Sequence, residues 1–186
     1  MRISLVSERY AKALFELAVE KKQEDAIYSD ARELVSVCEE NKLFVLVLKS
    51  PVISNEKKAK ILNDLFEKRF NVMTMRFLQI LVRKGRELYI PEIARKLISL
   101  YKVFKEILPV TLTTAIPMTE AIRNRVSTIM NDYTKWQIEL DQKIDPDIIG
   151  GFILNWEDLQ YDASIYYQIE RIRRGSARVN LYKKGF

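Results

Sequence analysis

Along the first hundred positions, apolar residues recur at intervals of three and four, the period of one face of a helix. Val6, Tyr10, Ala13, Leu14, Leu17 and Ala18 form a first stripe, with Ser4 or Ser7 expected to cap its start. Ile27, Ala31, Leu34, Val35 and Cys38 form a second. A short third helix is expected from Leu43 to Lys49, ended by Ser50-Pro51 because a residue before proline is pushed out of helical geometry. Ser54 caps a fourth, with Ala59, Leu62, Leu65 and Phe66 facing inward. A fifth, from about Val72 to Lys84, is dense in large apolar groups (Phe77, Leu78, Ile80, Leu81, Val82) and stops at Gly85, which suits the positive φ of a helix end. A sixth begins near Tyr89-Ile90, tolerates Pro91 in its first turn and carries Ile93, Leu97, Tyr101 and Phe104. Six short helices with short links predict a bundle.

The period then changes from helical to alternating. Pro109 to Thr114 is β-branched and alternates, a strand signal. Pro117 interrupts it, and Thr119 with Glu120 opens a helix to about Thr134. Gln137 to Asp141 alternates again, Asp145-Pro146-Asp147 is a turn, and Ile148 to Asn155 is expected as a strand with Gly150-Gly151 at its start. Trp156-Glu157-Asp158 is expected as a hairpin turn and Leu159-Gln160-Tyr161 as its return strand. Ser164 caps a last helix through Arg174, with Ile165, Ile169 and Ile172 on one side. The fold expected is therefore mainly α: an N-terminal six-helix bundle over 1–106, then a small α+β module over 107–186.

With 48% hydrophobic and 30% charged residues in 186 positions, the chain has the means to bury a core. Its chemical inventory is poor. There is no histidine and one cysteine, Cys38, so neither a Ser/His/Asp or Cys/His set nor a zinc site of the usual kind can be built. Cys38 falls on the second stripe and reads as a small core residue; a lone cysteine forms no internal disulfide, and a reducing compartment is expected. Gly85-Arg86 and Gly150-Gly151 lack the spacing and the lysine of a phosphate loop. The glycine pair reads instead as a bulge or a close backbone approach. Asp141, Asp145 and Asp147 lack the ligand spacing of a calcium loop and read as turn residues. No enzyme activity, cofactor or metal is expected.

Charge is uneven: residues 1–108 are net +6, 109–170 net −6 and the last sixteen net +6. Basic blocks of this kind leave a helical nucleic-acid-binding protein as the alternative function. The longest apolar run, Leu43 to Leu48, is far short of the roughly 20 residues that span a bilayer. Charges at Glu8 and Arg9 follow too soon for a secretory signal, so none is expected. What remains is surface for partners. The first helix carries Tyr10, Leu14 and Leu17 beside Arg9 and Lys12; the fifth carries Phe77, Ile80 and Leu81 beside Arg76, Arg83 and Lys84. Such residues either fill the bundle core or leave a groove for another amphipathic helix, and periodicity leaves both open.

Several segments in order resemble one family. They are Arg9 to Phe15 (RYAKALF), Leu48 to Ile53 (LKSPVI) followed by Lys57 through Phe66, and Phe77 to Arg86 (FLQILVRKGR). Thr113 to Thr119 (TTAIPMT), Asp147 to Leu154 (DIIGGFIL) and Tyr161 to Ser164 (YDAS) continue the match. Their order and spacing resemble the delta subunit of F-type ATP synthases, called the oligomycin-sensitivity-conferring protein in mitochondria. The junction Lys105 to Pro109 has no glycine, Trp156 to Leu159 lacks the hairpin glycine, and Ala163 stands where glycine is usual. The resemblance implies a non-catalytic stator subunit whose N-terminal bundle takes the N-terminal helix of an alpha subunit on the catalytic head. It implies a C-terminal module that takes the b-type subunits of the peripheral stalk, no nucleic-acid partner, and a place on the cytoplasmic, matrix or stromal face of an energy-transducing membrane, held there through the complex. Carried over residue by residue, it assigns the groove to the first and fifth helices, with Tyr10, Leu14, Phe77, Ile80 and Lys84 as the partner-binding residues. Gly150, Gly151 and Asp162 are expected to be architectural. The basic tail after Gly175 is left between disorder, a stalk contact and a contact with anionic lipid.

Overall fold

Where the apolar stripes run, the chain coils. The computed structural model describes residues 5–120, 123–124, 126–128, 130, 135–156, 158–173 and 181–183. Two units divide at Phe104 and Lys105. The first holds α1 (Leu5–Glu20), α2 (Glu24–Glu40), α3 (Lys42–Lys49), α4 (Asn55–Phe66), α5 (Val72–Arg83) and α6 (Ile90–Phe104), with a 3-10 turn at Glu87–Tyr89. The architecture expected from the pattern, a helical bundle followed by an α+β module, is the one observed.

Helix ends follow the side chains that satisfy their unpaired backbone groups. Asn41 accepts from Phe44 N–H (3.1 Å), Ser54 from Lys57 N–H (3.5 Å) and Asn71 from Met73 N–H (2.8 Å). Gly85 closes α5 at φ +64°, and Arg86 N–H donates to Leu81 O while Gly85 N–H donates to Val82 O, the paired bonds of a Schellman end. Ser7 is not a cap. It lies inside α1, fully buried, and donates to Glu92 Oε2 on α6 at 3.0 Å. The buried line of α1 is accordingly Ser7, Ala11, Leu14 and Ala18, whereas Ala13 and Leu17 of the expected stripe are exposed. Leu65, expected inward, is also exposed, and the aliphatic stem of Lys58 takes a core position on α4 instead.

The core is built on α6, which packs against both α1 and α2, while α4 packs against α5. Leu62, Phe66, Leu78, Leu81, Ile90 and Ile93 are among its most deeply buried side chains. Within this apolar interior Lys58 Nζ donates to Glu87 Oε1 at 2.7 Å and to Leu48 O at 3.0 Å, so one ammonium joins α4, the 3-10 turn and the last turn of α3. The ammonium satisfies a carbonyl that α3 leaves unpaired and sits at the negative end of that helix.

The second unit is a five-stranded sheet among the described residues, in the order β2-β1-β3-β4-β5. Its strands are β1 (Ile107–Thr114), β2 (Gln137–Ile144), β3 (Phe152–Trp156), β4 (Leu159–Asp162) and β5 (Leu181–Lys183). β1 and β2 are parallel and the other pairs antiparallel. A parallel pair needs a crossover, and helical residues within 120–130 (α7) supply it. Pro109 is tolerated in the middle of the sheet because β3 begins to pair with β1 only at Val110. Leu108, Val110 and Leu112 on alternate positions of β1 form a small core with Met130 and Leu154. The last helix is α8 (Ile165–Arg173).

Several expectations shift here. β3 starts at Phe152, not Ile148: Pro146–Ile148 is a 3-10 turn capped by Asp145, and Ile149 and Gly151 both take positive φ. At Gly151 an added Cβ would strike Ala163 O, a close backbone approach, whereas at Gly150 it would meet only the side-chain end Ile165 Cδ1 at 2.8 Å. β2 continues to Ile144, three residues beyond the alternation seen in the sequence. Part of the basic tail is a strand, β5, paired with β4. The expected ends at Thr134 and Arg174 and the turn residue Glu157 lie outside the described residues, although Trp156 and Leu159 pair across that turn.

Breaking a buried ion pair leaves a charge without compensation, whereas removing both partners does not. Lys58→Met is expected to cost about 3–5 kcal/mol in urea unfolding, and Lys58→Met with Glu87→Leu to recover most of that loss.

Candidate functional site

Between α1 and α5 the bundle leaves a groove of about 700 Å³. Ala13, Leu14, Leu17 and Lys21 form one wall and Val72, Met73, Arg76, Phe77 and Ile80 the other, with Gln23 and Asn71 also lining it. The opening follows from how each helix is braced. α1 rests on α6 and α2, and α5 rests on α4 and α2. α1 and α5 meet where the rings of Tyr10 and Phe77 stand edge to face, with centroids 6.3 Å apart. Both walls therefore keep apolar side chains in the open: Leu17 is 42% exposed, Ile80 48% and Val72 65%. The cations Lys21 and Arg76 border this apolar surface.

Of the residues singled out from the sequence, Leu14, Phe77 and Ile80 line the groove together. Leu14 is a buried floor residue, Phe77 half-buried, and Ile80 an exposed rim residue. Tyr10 touches the groove through Phe77. Lys84 is not among the lining residues: it is the C-terminal cap of α5, exposed, beyond the end of the groove. Sequence reading missed Ala13, Val72 and Met73 as wall residues. The available signal was the excess of apolar positions on α5 over what one face can bury; on α1 the pattern alone did not separate Ala13 from the buried line.

A buried carboxylate stands behind the α5 wall. Asp30 Oδ2 on α2 accepts from Asn71 N–H at 2.9 Å and from Thr74 Oγ at 2.5 Å. Burial pushes its carboxyl above the usual carboxylate range; the bonds from Thr74 and Asn71 oppose that rise, and the charge of Glu33 adds to it. Cys38 is a core residue, and burial pushes its thiol up to about 11, so it is a thiol and not a nucleophile at neutral pH.

In the second unit, Asp162 is buried and Oδ1 accepts from Ser164 N–H at 2.8 Å, while Ser164 Oγ accepts from Tyr167 N–H at 3.1 Å and caps α8. These are architectural bonds that seat α8 beside the glycine turn. α8 has no buried residue; Ile165, Tyr166, Ile169 and Ile172 all face solvent. Near its start an apolar cavity of about 440 Å³ is lined by residues that include Ile116, Met118, Ile149, Gly150 and Phe152. Among the described residues, no three acidic, cysteine or histidine side chains are grouped so as to hold a metal ion, and no helix is long and apolar enough to cross a membrane.

An apolar groove on one unit and a helix with no buried residue on the other are features of a protein that binds proteins. Residues 6–175 match the family model described as the ATP synthase delta (OSCP) subunit. The chain belongs to that family. It is similar to ATP synthase subunit delta of Cytophaga hutchinsonii, 35% identical over 173 residues that cover 93% of this chain and 94% of the relative. The subunit delta of Bacteroides thetaiotaomicron is 33% identical over 180 residues, covering 94% and 95%. The fold is also that of a chain in the Toxoplasma gondii mitochondrial ATP synthase hexamer, with a TM-score of 0.73, 20% identity and coverage of 92% and 97%. As a family member the chain is a stator subunit of ATP synthase with no catalysis of its own.

Because the carboxyl of Asp30 is raised in the folded state from its ordinary value near 3.8, it contributes stability that is full below that value and lost as pH rises through the folded one. The unfolding free energy of the wild type relative to Asp30→Asn is therefore expected to decrease as pH rises above about 4, measured by urea titration of both proteins.

Proposed function

We propose that this delta-family chain joins the catalytic head to the peripheral stalk by two separate surfaces. The groove between α1 and α5 takes the amphipathic N-terminal helix of an alpha subunit, and the second unit takes the b-type stalk subunits. The observation that carries the reading is the groove. An apolar cleft walled by Leu17, Val72 and Ile80 is a costly surface to leave in water, and its form suits a helix laid in with its apolar face down. Cations on its border favour acidic side chains on the flanks of that helix. The exposed apolar face of α8 supports the second surface. Tethering the head in this way opposes the torque of the rotating shaft and requires no chemistry, cofactor or nucleic acid. The protein then lies at the cytoplasmic, matrix or stromal face of an energy-transducing membrane, held there by the complex.

Ile80 is on the rim, so Ile80→Asp spares the fold but places a charge where a partner would desolvate it. Affinity of the full chain for a synthetic peptide of the alpha subunit's N-terminus is expected to fall at least about tenfold in that variant, read by calorimetry. Unchanged affinity removes the groove from the proposal. Ile169→Asp on α8 is expected to leave the peptide affinity as it is and to abolish capture of b-type subunits by the immobilised chain; retained capture removes α8 from the stalk surface.

A further inference from the structure

The groove depends on a residue that lies outside it. Val72 and Met73 belong to the first turn of α5, and both are wall residues. A first turn is the part of a helix with the fewest backbone bonds of its own and the first to fray. Here it is held from behind. Asp30, on α2 and only 7% exposed, presents one oxygen to two donors of α5: the Asn71 N–H at 2.9 Å and the Thr74 hydroxyl at 2.5 Å. Asn71 in turn accepts from Met73 N–H at 2.8 Å. The start of α5 thus has an external cap, delivered by a residue 41 positions earlier in the chain, in addition to its own.

We infer that Asp30 is a positioning residue for the groove: its contact with Asn71 and Thr74 fixes the first turn of α5 and so holds the wall formed by Val72 and Met73 in the form that accepts a helix. The inference rests on the reading of the groove as the partner site. Without the contact, the first turn opens part of the time, and apparent affinity falls with the fraction of molecules that keep the wall in place. α2 itself contributes no side chain to the groove lining, so the effect travels through α5 alone.

The test uses the full chain and two readouts. Without any partner, Asp30→Ala is expected to speed amide hydrogen exchange from Asn71 to Met75 while the amides of α6 keep their protection. With the alpha-subunit peptide, its affinity is expected to fall about tenfold, and Asp30→Asn, which retains an acceptor oxygen, to restore most of it. Thr74→Val removes one of the two bonds at constant shape; it serves if the alanine variant does not fold, with a loss of about threefold. Leu48→Ala, a core truncation in α3 whose side chain does not line the groove, is expected to lower stability and leave affinity unchanged. Unaltered exchange and affinity in both Asp30→Ala and Thr74→Val would overturn the inference, as would an equal loss of affinity in Leu48→Ala. If the wild type does not bind the peptide, the proposed function fails, and hydrogen exchange alone decides whether Asp30 holds the first turn.

Discussion

α5 is apolar around more of its circumference than the bundle can cover. Met75, Leu78, Leu81 and Val82 are buried against the other helices, while Val72, Met73, Phe77 and Ile80 look out on the groove. A helix apolar on both sides belongs in an interior. Here one side of that interior is missing, and the rest of the unit is arranged around the gap. α1 turns Ser7, Ala11, Leu14 and Ala18 toward the core and leaves Ala13 and Leu17 facing α5. Ser7, Ala11 and Ala18 on the buried line are small, and α1 packs on α6, while Leu17 stands open to the groove.

An open cleft in a small bundle invites collapse, and buried polar contacts oppose it. The Ser7–Glu92 bond ties α1 to α6, the Asp30 contacts tie α5 to α2, and Lys58 ties α3, α4 and the turn before α6. Each has partners at defined positions, unlike apolar packing, which tolerates sliding. Desolvation makes such contacts poor sources of stability. Their use here is geometric: each of the two walls is attached to a helix other than the opposite wall.

Periodicity of three and four located the six helices, and Ser54 and Gly85 marked ends that the structure confirms by hydrogen bonds and by φ. The rotation of each helix was harder to read. α1 offers two overlapping stripes, and a serine on the buried one hid it; only the partner Glu92, 85 positions away, shows why Ser7 is inside. Asp30, Lys58 and Glu87 were invisible for the same reason, since a charged residue is assigned to the surface until its partner is known. Of the site, Leu14, Phe77 and Ile80 came from the ordered motifs rather than from periodicity, which left core and groove open. Lys84 came from the resemblance as well; it caps α5 and does not line the groove. In the second unit the Ile148–Gly151 segment, apolar enough for a strand, is diverted by the turn at Pro146 and by positive φ at Ile149 and Gly151.

In the proposed function the alpha-subunit helix docks in the α1/α5 groove and on no other face of the first unit. Backbone and methyl chemical-shift mapping of the labelled full chain with the alpha-subunit peptide tests it most directly. Shifts are expected to concentrate at Ala13, Leu17, Val72, Met73, Phe77 and Ile80, with Cys38, Leu48 and the β1 residues unmoved. Binding whose shifts fall on α3, or on the second unit, with the groove residues silent, would contradict it.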